Sequence, residues 1–424
     1  MDFFTGFAIL SISVLVFLLF LALFEPGLDY RIRKAPRCAL DSEEFLRLIE
    51  ALTTARMHHR TRVEVLTNGE NYYEAELEAI RQARKSVNLE AYIFQRGRVT
   101  RRFVEVLAER ARAGVRVNLV LDGIGSFMTW DRYLKPLKEA GGRVAWYHAL
   151  RCWYTWPRMN NRTHRELIIV DGRVGFVGGA GFADHWLYPR HKHRRWRDTM
   201  FRVEGDAVAG LQSTFTENWL EASGEILSGT EYFPFLEGEG DTKAMVISSS
   251  PSSGRSTRGR ILYQTLLASA KRSIHITTPY FLPDSSARQE IVRAIRRGVQ
   301  VKILVPGTKH DHLLTRRSSR RLYGQLLRAG ARIFEYQPSM LHVKTMIVDE
   351  TWCIVGSTNF DHRSFGLNDE VNLAAFDTNL AARLEEDFVR DLAESKPVTY
   401  RKWMRRPTFE RLHELLGWVL ERQQ

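Results

Sequence analysis

The chain has 424 residues, of which 44% are hydrophobic, with a formal net charge of +13 and three cysteines. This length and hydrophobic content are enough to bury one large core or two smaller ones, and three cysteines without metal-ligand spacing argue against a disulfide framework. The positive charge indicates an anionic partner, either acidic lipid or nucleic acid, and charge alone does not choose between them.

The first predicted element is a transmembrane helix. The segment from Phe3 to Phe24 contains 22 residues without a charge, which at about 1.5 Å per residue can cross a hydrocarbon core of about 30 Å. A cleaved signal peptide is disfavoured because the start carries Asp2 and no basic residue. The segment is followed by a basic cluster that predicts a cytoplasmic location for the rest of the chain, namely Arg31, Arg33, Lys34 and Arg37.

Two similar α/β units are predicted after residue 60. The first has helical patterns near 72–85, 99–113 and 131–140 and apolar strands at 87–94, 115–122 and 143–148. The second repeats this order with strands at 271–281, 299–306 and 331–337 and helices at 286–297 and 312–329. This alternation indicates a parallel or mixed sheet covered on both faces. The predicted boundaries are an anchor at 1–27, a basic linker or helix at 28–60, units at 61–240 and 241–398, and a basic amphipathic segment at 399–424.

A segment rich in tryptophan and arginine, residues 146–166, lies between two predicted parts of the first unit. It interleaves aromatic residues such as Trp146, Trp153 and Trp156 with Arg151 and Arg158. Aromatic rings with a polar edge favour the headgroup level of a bilayer, and arginines favour anionic lipid. The same composition could stack on single-stranded bases. We favour a membrane-facing lip.

The same spaced pattern occurs twice, 178 positions apart. The second copy reads HVKTMIVDETWCIVGSTN and contains His342, Lys344, Asp349, Ser357 and Asn359. The first reads HRELIIVDGRVGFVGGAG and keeps His164, Asp171, Gly178 and Gly179, but has Glu166 in place of lysine and Gly181 in place of asparagine. On a strand, residues two apart share a face, so the histidine and lysine point into one pocket. The pair suits phosphodiester chemistry: lysine neutralises phosphate oxygens, one imidazole attacks phosphorus, and a second imidazole protonates the leaving oxygen.

These residues resemble the HxK(x)4D(x)6G(G/S)xN signature of the phospholipase D superfamily, and the flanks, such as TTPYFLPD (277–284) and RSFGLNDEVNL (363–373), resemble its bacterial cardiolipin synthase branch. The resemblance implies two tandem phospholipase D-type α-β-α sandwich units that form one pseudo-twofold active site. It implies catalytic roles for His342, Lys344, Asp349, His164 and Asp171, and substrate contacts for Asn359, Ser357, Gly178 and Gly179. It also assigns to Glu370, and to Asp198, the acid that hydrogen-bonds a catalytic imidazole.

Glu166 departs from the family pattern, and three explanations are open. The first half could be a structural remnant, or the missing cation could come from Arg162, Arg195 or Arg197. We favour a third hypothesis, in which a carboxylate near His164 keeps that ring protonated as general acid, while Lys344 keeps His342 neutral as the nucleophile.

The predicted function is that of a phosphatidyltransferase in the inner membrane of a bacterium, with its catalytic body in the cytoplasm. Anionic phospholipid, with phosphatidylglycerol preferred, is the expected substrate, and no cofactor, metal ion or nucleic acid is expected. The internal duplication favours a monomer. Hydrolysis of phospholipid is the nearest competing reaction, because only exclusion of water separates transfer from hydrolysis. The sequence is also compatible with a membrane-tethered nuclease and with a non-catalytic lipid-binding protein.

Overall fold

The computed structural model describes residues 3–24, 32–149, 160–189, 194–236, 238–251, 256–408 and 410–411. Several predicted features lie partly outside these ranges: residues 25–31 at the junction of the anchor and the basic linker, residues 150–159 of the tryptophan-rich segment, and the amphipathic segment beyond residue 411.

The strands are β1 (His58–Thr67), β2 (Ser86–Ala91), β3 (Arg116–Asp122), β4 (Arg143–Tyr147), β5 (Leu167–Val170), β6 (Val174–Gly178), β7 (Thr199–Gly205), β8 (Thr242–Ser249), β9 (Ser273–Thr277), β10 (Gln300–Pro306), β11 (Arg332–Tyr336), β12 (Thr345–Val348), β13 (Trp352–Gly356), β14 (Glu370–Phe376) and β15 (Ser395–Val398). The helices are α1 (Phe3–Phe24), α2 (Glu43–Thr53), α3 (Gly69–Gln82), α4 (Arg98–Arg112), α5 (Lys135–Glu139), α6 (Asp184–Leu187), α7 (Val208–Ser223), α8 (Arg258–Ser269), α9 (Ser285–Arg296), α10 (Leu313–Ala329), α11 (His362–Gly366), α12 (Thr378–Ala393) and α13 (Tyr400–Met404).

Within the described ranges, fifteen strands join one mixed sheet in which the two halves have the same strand order. Read outward from the middle, the first half runs β1-β7-β6-β5-β2-β3-β4 and the second runs β8-β14-β13-β12-β9-β10-β11, with β15 added at the edge. The halves meet where β1 pairs antiparallel with β8. The mixed α/β architecture predicted from the sequence is therefore confirmed, whereas the predicted unit boundaries at residues 61 and 241 stay a prediction.

Three hydrophobic clusters account for most of the core. One lies between the first-half strands and the helices α3 and α4, and a second lies between the second-half strands and α2, α8, α9 and α10. The third contains residues of both halves, including Val177 and Phe201 from the first and Val355 and Leu373 from the second. This shared core holds the two halves together, and with them the segments that carry the two histidines.

Glycine ends several predicted helices where the sequence places it. Gly298 follows α9 with φ +95°, and Gly330 caps α10 with φ +111°. Both values lie in the left-handed region, which glycine enters without steric cost. The helices therefore stop at positions that return the chain to β10 and β11.

The predicted anchor segment is helical. Helix α1 covers its whole length, from Phe3 to Phe24. Among the residues that the structure describes, no helix is both long and apolar enough to cross a membrane.

Candidate active site

His342 is held by an acid from the other half of the molecule. A short parallel bridge between Arg197 and Leu341 brings the two chain segments together, and the His342 amide donates to the Arg197 carbonyl at 2.7 Å. The His342 Nδ1 atom lies 2.8 Å from Asp198 Oδ2. Asp198 is fully buried and also accepts from the Trp186 indole N–H at 3.0 Å. Asp198 accepts a hydrogen bond from the Nδ1–H group, which leaves the lone pair on Nε2 for attack.

His164 has the corresponding arrangement with the halves exchanged. A bridge joins Thr163 to Asp369, and the His164 amide donates to the Asp369 carbonyl at 2.9 Å. The His164 Nδ1 atom lies 3.1 Å from both carboxylate oxygens of Glu370. The Ser357 hydroxyl donates to Glu370 Oε2 and fixes the carboxylate from behind.

The two acid–imidazole pairs therefore cross between the halves. Asp198 follows His164 in the sequence but contacts His342, and Glu370 follows His342 but contacts His164. The sequence identified the two acids but not this exchange. Each half is incomplete without the other, since it supplies a histidine whose orienting acid comes from its neighbour.

Lys344 contacts His342 and interacts through its charge with Asp198 and Glu370, one acid of each pair. Its ammonium group lies 3.1 and 3.2 Å from the two ring nitrogens of His342 and donates to the His342 carbonyl at 3.0 Å. A Cβ atom on Gly179 would lie 3.1 Å from Lys344 Nζ and 3.2 Å from Asp198 Oδ1. The first-half glycine thus leaves room for the second-half lysine. Burial lowers the pKa of Lys344, while the charges of Asp198 and Glu370 oppose the shift.

The environment of His342 favours the neutral ring. Burial lowers its pKa, the ammonium group of Lys344 lowers it further, and the charge of Asp198 opposes both effects. A neutral imidazole is the form that can attack phosphorus. The nucleophile hypothesis for His342 therefore has a physical basis in this site.

Replacing Lys344 with methionine is expected to move the acid limb of the kcat/KM profile to higher pH. The change removes the cation that lowers the pKa of His342, so the ring takes up a proton at a higher pH than in the wild type and the nucleophile is lost earlier on acidification. The pH dependence of the residual rate measures this shift. Lys344→Arg retains the charge and is the matched control; an unshifted acid limb in the methionine variant would argue against the electrostatic role.

Glu166 does not provide the carboxylate that we expected near His164. Its side chain is buried, which raises its pKa well above the usual range. Glu166 Oε1 accepts from the Ile93 amide at 3.3 Å, and a Cβ atom on Gly181 would lie 3.0 Å from that oxygen. The missing side chain at position 181 thus makes room for a neutral carboxyl group at position 166. The charged partner of His164 is Glu370, which corrects the sequence-based hypothesis.

The two motif aspartates lie at the far ends of their strands. Asp171 accepts from the amides of Arg84, Lys85 and Ser86, the shortest bond being 2.7 Å. Asp349 accepts in the same way from the amides of residues 271, 272 and 273. Strands β5 and β12 separate these carboxylates from His164 and His342. Their contacts fix the starts of β2 and β9, a positioning role that differs from the direct catalytic one expected from the sequence.

The residues predicted to bind substrate differ in whether their polar groups are free or already hydrogen-bonded. The Ser357 amide donates to the Val371 carbonyl at 2.9 Å and its hydroxyl donates to Glu370, so neither group is free for the substrate contact expected of Ser357. Gly178 ends β6 and packs against Met200 of β7. Asn359 is buried, and its Oδ1 atom has no hydrogen-bond partner among the described residues. Asn359 is thus the member of this set with an unused polar atom.

Four further residues near the histidines carry no motif signal of their own. The Tyr92 ring contacts the His164 ring at a centroid distance of 5.2 Å. The Tyr280 hydroxyl donates to Asp311 Oδ2 at 2.5 Å, and the charge of Asp311 acts on the pKa of His342. Burial raises the pKa of Asp361 to about 7. Tyr280 lies in a segment that the sequence singled out, TTPYFLPD, and Tyr92 lies in the predicted strand 87–94.

No cluster of three or more His, Cys, Asp or Glu side chains suited to a metal ion occurs in the described ranges. The basic groups named as possible substitutes for the missing lysine are engaged elsewhere. Arg197 binds Asp391 through Nε at 3.0 Å, and Arg195 binds Glu70. Arg162 lies 3.5 Å from Asp122. Lys344 is the motif cation beside the imidazole pairs.

Sequence comparison decides the family. A family profile described as cardiolipin synthase, PLD-like domain, matches residues 77–219 and 263–392. The major cardiolipin synthase ClsA of Bacillus subtilis (strain 168) is 32% identical over 386 residues, which cover 91% of this chain and 80% of that protein. The chain belongs to the cardiolipin synthase family of the phospholipase D superfamily.

Another member of the cardiolipin synthase family, from Alkalihalophilus pseudofirmus, is 34% identical over 370 residues, covering 87% of this chain and 73% of that protein. The predicted resemblance is confirmed, and the chain is an enzyme of the phosphatidyltransferase class. The two matched profile segments lie one in each half of the sheet.

Solved structures support the same fold for this member of the cardiolipin synthase family. Phosphatidylserine synthase from Haemophilus influenzae Rd KW20 superposes with a TM-score of 0.68 at 13% identity, covering 90% of this chain and all of that one. Polyphosphate kinase from Porphyromonas gingivalis gives a TM-score of 0.55 at 9% identity, covering 89% and 54%. At these identities the similarity concerns the fold alone.

Proposed function

We propose that the protein is a membrane-bound cardiolipin synthase that transfers a phosphatidyl group between phospholipids through a covalent phosphohistidine on His342. One observation carries the proposal: the crossed pairs of Asp198 with His342 and of Glu370 with His164, with Lys344 in contact with His342. This arrangement supplies a neutral nucleophile, an imidazole for proton transfer and a cation for the phosphate.

The first step forms the intermediate. His342 Nε2 attacks the phosphorus of a donor phospholipid, and a P–N bond forms as the P–O bond to the headgroup alcohol breaks. Lys344 neutralises the non-bridging oxygens as charge builds on them. His164, with its imidazolium stabilised by Glu370, gives its proton to the leaving oxygen.

The second step reverses these roles. His164 is now neutral and takes the proton from a hydroxyl group of the acceptor lipid, whose oxygen attacks phosphorus. The P–N bond breaks and His342 is released in its starting form. With phosphatidylglycerol as both donor and acceptor, which the positive charge of the chain favours, the products are cardiolipin and glycerol.

The helix α1 supports a membrane anchor as part of the proposal. Its described part exposes large apolar side chains, including Phe4, Phe7, Leu10 and Leu15. The basic residues after the helix favour a catalytic body on the cytoplasmic face of the bacterial inner membrane. A monomer is sufficient, because both crossed pairs form within one chain.

A transfer assay tests this function. Purified full-length protein in mixed micelles with labelled phosphatidylglycerol is expected to release labelled cardiolipin and glycerol, and His342→Ala is expected to abolish both products. His59→Ala is the matched control, since His59 is an exposed histidine on β1. Phosphatidic acid as the main product would indicate hydrolysis instead, cleavage of DNA without lipid turnover would indicate a nuclease, and no turnover of either would indicate a binding protein.

A further inference from the structure

Two loops at the active-site end of the sheet expose large apolar side chains. The first rim loop, residues 123–134, follows β3 and exposes Phe127, Met128 and Trp130 to 65%, 59% and 62%. Soluble surfaces rarely leave such residues clustered and uncovered. We therefore expect this cluster to be covered by a binding partner.

The first rim loop is fixed beside His164. Its buried Ser126 donates to the Tyr92 carbonyl at 2.8 Å, and its buried Thr129 donates to the Phe94 carbonyl. The Tyr92 ring in turn contacts the His164 ring. Polar residues of the loop thus face the body, and the apolar residues between them face outward next to the site.

The second half displays apolar residues at the equivalent place. The strand β10 is the counterpart of β3 in the repeated order. The second rim loop, residues 307–314, follows β10 and includes the first two residues of α10, Leu313 and Leu314, which are 56% and 37% exposed. It also carries Asp311, whose charge acts on the pKa of His342. Each histidine therefore has one apolar rim loop beside it.

Positive charge accompanies both rim loops. The Arg132 guanidinium lies 5.6 Å from the centroid of the Trp130 ring, and Lys135 is exposed one turn further on. Arg317 lies in the second turn of α10, whereas the neighbouring Arg316 is paired with Glu335. Apolar side chains that enter the boundary between headgroups and acyl chains, flanked by cations, are typical of surfaces that bind anionic bilayers.

We propose that the apolar rim, formed by Phe127, Met128, Trp130, Leu313 and Leu314, inserts into the surface of an anionic bilayer and holds the mouth of the active site against it. The inference rests on the proposed function, because a lipid substrate must leave the bilayer to reach His342. It assigns the contact to the folded body, in addition to the anchor helix.

A second apolar patch provides the control. Phe235 is 86% exposed, and the chain beside it packs against Gly172, which lies in the β5–β6 turn at the end of the sheet opposite to His164. The rim proposal assigns no membrane contact to this end. Phe235→Ser therefore replaces an exposed apolar side chain with serine, as the rim substitutions do, but at the opposite end of the sheet.

The test compares bilayer and monomeric substrate for the full-length protein. The triple variant Phe127→Ser, Met128→Ser, Trp130→Ser is expected to lose about tenfold or more of its rate on long-chain phosphatidylglycerol vesicles, and to keep its rate on short-chain phosphatidylglycerol below its critical micelle concentration. Phe235→Ser is expected to keep both rates. An unchanged vesicle rate, or an equal loss on both substrates, would overturn the proposal.

Fluorescence separates failure of the rim from failure of the proposed function. Lipids brominated on their acyl chains are expected to quench the wild type more than Trp130→Phe, because Trp130 would lie at the depth of the bromines. This readout needs no turnover. Equal quenching of the two proteins would contradict insertion of the apolar rim even if transfer occurs. A wild type that is quenched more than Trp130→Phe but transfers no phosphatidyl group would contradict the proposed function alone.

Discussion

Replacing Asp198 with asparagine is expected to lower kcat for phosphatidyl transfer by about 10³- to 10⁴-fold, the size of effect seen when the orienting acid of a catalytic histidine loses its charge. Asp198 accepts from His342 Nδ1, Trp186 Nε1 and the Thr199 amide. An asparagine amide turns an N–H group toward at least one of these donors. The imidazole then loses either its tautomer or its orientation.

This prediction tests the crossing of the pairs, because a first-half residue is expected to disable the second-half nucleophile. The rate at which the covalent intermediate forms in the Asp198→Asn variant, measured by rapid quench, should fall by the same factor as kcat. Asp241→Asn alters an exposed acid between the halves and is the matched control. A folded Asp198→Asn variant within about tenfold of the wild-type rate would show that His342 does not depend on this carboxylate.

Replacing Glu166 with glutamine is expected to stabilise the fold, and to do so more strongly as the pH rises. Burial raises the pKa of Glu166 well above the usual range. The unfolded chain loses this proton at the ordinary glutamate pKa, whereas the folded chain retains it, so the wild type loses stability as the pH rises from the unfolded toward the folded pKa. Glutamine keeps the shape of the neutral acid and does not titrate.

The difference in free energy of unfolding is expected to grow by up to about 1.4 kcal/mol per pH unit in that window. Urea unfolding of both proteins in one detergent, at about pH 4, 6 and 8, measures it. Glu105→Gln, which changes an exposed acid on α4, should give a difference that does not vary with pH. A constant difference for Glu166→Gln would mean that the carboxyl group is ionised in the folded protein.

The sequence predicted most of the repeated framework because its signals are local. Alternating helices and apolar strands marked β2 to β4 and β9 to β11, and glycines such as Gly298 and Gly330 marked the helix ends. The pairing of β1 with β8 carries no such signal. It joins residues far apart in the chain, and its register depends on how the two halves pack.

The same difference between local and long-range signals explains which features of the active site could be predicted. The motif spacing identified His164, His342 and Lys344, although His342 and Lys344 precede β12, which begins at Thr345, and do not lie on a strand as expected. The spacing could not show that Asp198 and Glu370 exchange partners, since this depends on the bridges of Arg197 with Leu341 and of Thr163 with Asp369. Glu166 was expected to be charged because the sequence contains no measure of its burial. Its fit against Gly181 emerges only from the packing.

The central claim is that His342 becomes the covalent nucleophile in a site shared by both halves. Full-length protein mixed with labelled phosphatidylglycerol, stopped in alkali to protect an acid-sensitive P–N bond and digested for mass spectrometry, tests it most directly. We expect the phosphatidyl adduct on the peptide that contains His342, at a level that falls when the acceptor hydroxyl is supplied in excess. An adduct on His164, or steady transfer with no histidine adduct, would contradict the account.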